Sequence, residues 1–171
     1  MTDPITTEGL RELQRPIKDR YGDDPDSAQI TLEADGTLDE DIACSVQTGS
    51  ALVKAGLHPG TGGDGTLACS GDMLLQALVA CAGVTMRSVA TSMGLSVTGS
   101  VHAEGDLDWR GTMAVDKKTP VGFRGIRLRF ELESDAGDEE LETLQRLTER
   151  YCVVFQTLAG SPELSVSLDR A

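Results

Sequence analysis

Aromatic side chains are nearly missing from this 171-residue chain: one Trp, two Tyr and three Phe make up 4% of it. A core with so few rings must be packed with aliphatic side chains. Basic residues are in deficit too, 15 Lys and Arg against 28 Asp and Glu, for a net charge of −13. That sign repels nucleic-acid phosphates and anionic lipid, so neither nucleic acid nor a membrane surface is an expected partner. No uncharged apolar run reaches the roughly 18 residues of a membrane span. The start, Met1 to Glu8, lacks the basic and apolar regions of a signal peptide. Histidine is rare, at two residues, and no Cys-x-x-Cys occurs, so a structural zinc site is not expected. The glycine-rich stretch from His58 to Thr66 lacks the Gly-Lys-Ser/Thr ending of a P-loop and the spacing of GxGxxG. It reads as a connecting loop. A Gly-x-Ser-x-Gly hydrolase elbow is absent as well.

Apolar residues at 39% and charged residues at 25% are enough for a folded core. The chain divides into an N-terminal helical extension and linker, 1–27, and one domain, 28–171. In the extension Leu10, Leu13, Ile17 and Tyr21 have helical spacing, interrupted at Pro16. Strands are expected over 28–34, 42–47 and 50–57, with a turn at 34–37. Ser70 is the expected N-cap of a long apolar helix that runs to Met93 and stops at Gly94. Strands near 95–109 and 122–133 follow. Next come an amphipathic helix over 138–150 with Leu141, Leu144 and Leu147 inward, a short helix from Cys152, and a last strand over 164–168.

Four cysteines without a signal peptide fit the reducing cytoplasm. Cys81 lies inside the long helix and shares a face with Leu74, Ala77, Leu78, Val84, Thr85 and Ser88. Cys152 lies about seventy residues on, where a short helix begins. Amides at a helix start lower a thiol's pKa, which favours Cys152 for chemistry. Most free cysteines are small packed hydrophobes, and periodicity leaves that role open for both. Cys44 falls in a strand, and Cys69 reads as a packing residue at the helix entry.

Taken together, the Gly-Gly-Asp-Gly loop, the helix carrying Leu74-Leu-Gln-Ala-Leu-Val-Ala-Cys81, the two strands, the acidic helix and Cys152-Val-Val-Phe-Gln-Thr-Leu resemble the OsmC/Ohr family, the osmotically inducible and organic hydroperoxide resistance proteins. The resemblance spans about residues 28–169. It implies an OsmC-like α+β fold, with antiparallel sheets wrapped around long central helices in an intertwined homodimer. It also implies a thiol peroxidase for organic hydroperoxides that needs no metal or organic cofactor, with Cys81 as peroxidatic and Cys152 as resolving cysteine and an external dithiol as reductant. An apolar pocket is then expected from Met73, Leu74, Ala77, Val84 and Phe155. Where the family pattern has a glutamate, an arginine and a proline, this chain has Gly71, Thr61 and Val153. Lys54, His58 and Asp72 are the candidates to replace the activating pair. Without that pair the Cys81 thiol is expected at or above its ordinary pKa. The alternative is a divergent dimer that binds a small apolar ligand, with thiols that are merely packed.

Overall fold

The computed structural model describes residues 6–24, 27, 29, 36–38, 43–48 and 51–170. Helix α1, Thr7–Asp23, starts where the Thr6 side chain accepts the Gly9 N–H at 3.1 Å. It passes through Pro16 without a break. Pro16 and Glu12 both lie on the exposed side, so the carbonyl that loses its partner there can face water. Thr7 fastens α1 to the rest by donating from Oγ1 to the Thr91 carbonyl at 2.9 Å.

Strands β1, Gly36–Leu38, β2, Ala43–Thr48, and β3, Ala51–Gly56, form an antiparallel ladder, and the short β4, Ala68–Cys69, adds in parallel to β3. The expected strand over 28–34 lies outside the described residues, apart from Gln29. Gly36 and Thr37 are strand rather than turn, because pairing with Val46 and Ser45 engages their backbone.

Helix α2 runs from Ser70 to Met93 and ends on Gly94, whose φ of 74° and N–H to the Ala90 carbonyl close the last turn. Its N-cap is Cys69, not Ser70, and the cap makes no side-chain hydrogen bond. Cys69 is held extended by its β4 pairing with Gly56, so the helix begins at the next residue. Among the described helices α2 alone has the length and composition of a membrane span, even though Asp72 and Arg87 bound its uncharged stretch. Here it packs as a central helix against β5, α4 and α5.

The long strands β5, Val97–Asp106, and β6, Gly125–Ser134, form a two-stranded antiparallel sheet in register from Val97↔Ser134 to Asp106↔Gly125. Their connection holds one unexpected turn of helix, α3, Trp109–Thr112, capped by the Asp108 side chain on the Arg110 N–H. Helices α4, Asp138–Tyr151, and α5, Val153–Gly160, follow. The core is aliphatic: Leu78, Ala82, Met86 and Ala90 repeat every four residues along α2 and meet Val97, Leu144 and Cys152. Buried Thr148 satisfies its hydroxyl on the Leu144 carbonyl at 2.8 Å.

The expected final strand does not form. Residues 161–170 carry no regular structure, and Leu164, Val166 and Leu168 are 86%, 98% and 92% exposed. The alternation is real, but among the described residues this segment pairs with no strand edge.

Candidate functional site

Cys152 is both the C-cap of α4 and the N-cap of α5. Its N–H closes α4 on the Thr148 carbonyl and its carbonyl accepts the Gln156 N–H that opens α5, each at 2.9 Å. This junction buries the Cys152 side chain completely. It also turns the first amides of α5 across to α2, where Cys81 sits half-buried one turn beyond Leu78.

The two thiols are close enough to influence each other and are driven in opposite directions. Burial pushes the Cys81 thiol up. The Val154 N–H, the Cys152 thiol, the Val153 N–H and the Thr85 hydroxyl together outweigh it and hold Cys81 below the usual thiol range. Burial pushes the Cys152 thiol up as well. Its hydrogen bond to Cys81 and the Cys81 charge add to this, the Phe155 and Val154 N–H groups offset part of it, and Cys152 ends above the usual range. Of the two thiols, Cys81 is the one that gives up its proton more readily.

Two sequence expectations are corrected here. The helix start is expected to activate Cys152, yet burial and the neighbouring Cys81 outweigh its amides there, while the Val154 and Val153 N–H groups help lower Cys81. Cys81 was expected at or above its ordinary pKa for want of an arginine and a glutamate. Backbone donors supply what those side chains do not. The signal was present at Val153: a proline there would have no N–H to give.

The remaining candidates lie elsewhere. Asp72 is nine residues before Cys81, half a turn around α2, and lines a cleft with Val101 and His102. His58 takes the Gly60 N–H on Nδ1 at 2.9 Å and stacks on Trp109 at 5.0 Å. Lys54 stands opposite Ser45 in the β2–β3 ladder. None of the three is among the groups that set the Cys81 thiol. Met73 is half-buried, and Leu74 and Ala77 are exposed. Phe155 lines a cleft of about 340 Å³ with Leu78, Phe123, Arg124, Ile126 and Leu158. Val84 lines a different groove, about 620 Å³, with Lys18, Thr85, Ser88 and Tyr151. Val84 and Phe155 therefore line separate clefts instead of one pocket. Among the described residues no three His, Cys, Asp or Glu side chains come together as a metal-ligand set.

Val153→Pro tests the backbone donors directly. Position 153 is the first of α5, where proline fits, and Cys152 before it is already extended at ψ 108°. The variant should fold normally and lose one N–H to the thiolate. Alkylation of Cys81 by iodoacetamide at neutral pH should slow about three- to tenfold, with its pH profile moved upward. An unchanged profile would remove the amides from the account.

A family model described as OsmC-like protein matches residues 63–167. The fold is similar to that of an OsmC like protein from Mycoplasma pneumoniae, at 17% identity and a TM-score of 0.65 over 77% of this chain and 89% of that one. An organic hydroperoxide resistance protein OsmC from Legionella pneumophila is similar at 19% identity, with a TM-score of 0.56 over 78% and 92%. An organic hydroperoxide resistance protein from Elizabethkingia anophelis is similar at 16% identity, with a TM-score of 0.51 over 78% and 91%. No curated protein matches the chain.

Proposed function

Since the chain belongs to the OsmC-like family, we propose that it is a thiol peroxidase that reduces organic hydroperoxides through Cys81 and Cys152. The observation that supports this most is the neighbouring thiol pair with opposed proton affinities. A low-pKa thiol beside a protonated one is the arrangement that oxidation and resolution require. The Cys81 thiolate attacks the terminal oxygen of the hydroperoxide. An S–O bond forms, the O–O bond breaks, and the leaving alkoxide takes a proton to become an alcohol. Cys81 is then a sulfenic acid. Cys152 attacks its sulfur, a disulfide forms and water leaves. An external dithiol restores both thiols by exchange.

The working unit is a homodimer with α2 at its centre. The outward face of α2, with Ala77, Ala80 and 71%-exposed Val84, is apolar and uncovered in one chain. The unpaired alternation of Leu164, Val166 and Leu168 belongs to the same argument, because a partner's sheet edge would complete that strand. Sedimentation at micromolar concentration should give twice the 18.1 kDa chain mass. A clean monomer would contradict the dimer. Residues 1–27 are read as an extension of the domain over 28–171. The reducing cytoplasm is the setting that keeps Cys69, Cys81 and Cys152 as free thiols.

The test is consumption of cumene hydroperoxide with a dithiol in excess. The rate should rise in proportion to protein and exceed the dithiol background. Consumption at background alone would leave the alternative, a dimer that binds a small apolar ligand.

A further inference from the structure

We propose that the groove between α1, α2 and α4 is a separate binding site for a medium-chain fatty acid, and that Lys18 holds the carboxylate. This site does not depend on the peroxidase reading. The groove encloses about 620 Å³, within the range of small-molecule sites. Val84 to Met93 of α2 line one side, Gln14 and Lys18 of α1 a second, and Leu147 and Tyr151 of α4 a third. Val89 and Met93, backed by the core cluster, and half-buried Leu147 give it apolar surface. Ser92 adds no free donor, because its Oγ donates to the Ser88 carbonyl of the same helix at 2.9 Å. From Thr85 to Met93 the helix rises about 12 Å, roughly the reach of an extended ten-carbon chain.

The head group is chosen by charge. Lys18 is the one charged residue of the lining. Among the described residues no hydrogen bond or ion pair engages its side chain. Its methylenes can lie along the apolar surface while the ammonium stays at the water-facing edge. On a chain of net charge −13, a free cation at the rim of an apolar groove selects an anionic amphiphile. Helix α1 brings in that cation, and Thr7 pins the helix to the Thr91 carbonyl at 2.9 Å. This wall lies outside residues 63–167, the segment that the family model matches.

The groove adjoins the proposed dimer face without coinciding with it. At about 100° per residue, Val89 and Met93 lie a third of a turn or more around α2 from Ala77, Ala80 and Val84. The groove also adjoins the thiols. Thr85 lines it, and the Thr85 hydroxyl is among the groups that hold Cys81 below the usual thiol range. An occupant therefore lies one side chain away from the Cys81 sulfur.

Calorimetric titration of the whole reduced protein with decanoate, and with 1-decanol as its uncharged counterpart, tests the site. Wild type should bind one decanoate per chain, and decanol about two- to fivefold more weakly. Lys18→Gln should bring decanoate down to the level of decanol, and Lys18→Arg should keep the preference. Lys18 is exposed on α1, so both variants should fold as the wild type does. Ser88→Phe, which puts a ring into the groove, should abolish binding of both ligands. The proposal is overturned by the absence of saturable decanoate binding, by equal affinity of wild type for the two ligands, or by a full preference retained in Lys18→Gln. Wild-type affinity in Ser88→Phe would place the ligand elsewhere and overturn it too. Turnover of cumene hydroperoxide without decanoate judges the peroxidase reading separately, so either can fail while the other stands.

Discussion

Cys81→Ser should lower turnover of cumene hydroperoxide by roughly a thousandfold or more, because a serine hydroxyl is not ionised at neutral pH and cannot replace a thiolate. Cys152→Ser should behave differently. Its hydroxyl can still donate to the Cys81 sulfur, so the first oxidation should stay within a few-fold of wild type. Without a second thiol the reaction then stops at the sulfenic acid, which dimedone would trap at one equivalent per chain. The two variants separate the roles that the opposed proton affinities assign. Equal loss of the first oxidation step in both would show that the cysteines act as one packing unit. Rapid oxidation of Cys81→Ser would place the chemistry on another thiol.

Leu144→Ala should cost about 3 kcal/mol of stability. Leu144 is fully buried at the centre of the core cluster with Met86, Ala90 and Val97, against Phe130 and Leu132. With few aromatic rings to slide into the gap, the aliphatic neighbours refill a vacated space poorly. Leu144 also sets the thiols' geometry. Its carbonyl holds the Thr148 hydroxyl, and the Thr148 carbonyl holds the Cys152 N–H. Loosening α4 on α2 should therefore slow disulfide formation more than the initial oxidation of Cys81. Chemical denaturation at fixed protein concentration measures the first effect, with concentration held because a dimer's stability depends on it. A loss below about 1 kcal/mol would mean the cluster does not hold these helices together.

The long elements were legible because their signals are local. The apolar run between Ser70 and Gly94 declares α2, and the i, i+3 leucines of α4 declare its buried stripe. The alternation from Gly125 to Glu133 declares β6. Other features depend on contacts made across the chain. Pairing with Val46 and Ser45 draws Gly36 and Thr37 into a strand, and β4 moves the start of α2 to Cys69. The same holds for the segment over 164–168, whose pattern is that of a strand but which pairs with no strand among the described residues.

For the site, the two cysteines could be read from the sequence and their division of labour could not. Which thiol a helix start activates depends on the turn of the backbone between α4 and α5, and no spacing rule encodes that turn.

The most direct test is to add one equivalent of cumene hydroperoxide to fully reduced protein and map the thiols by peptide mass spectrometry. The account predicts loss of two thiols per chain, a peptide pair joined through Cys81 and Cys152, and Cys69 left free. Thiols that all survive, or oxidation that falls on Cys44 or Cys69 while Cys81 and Cys152 stay reduced, would contradict it.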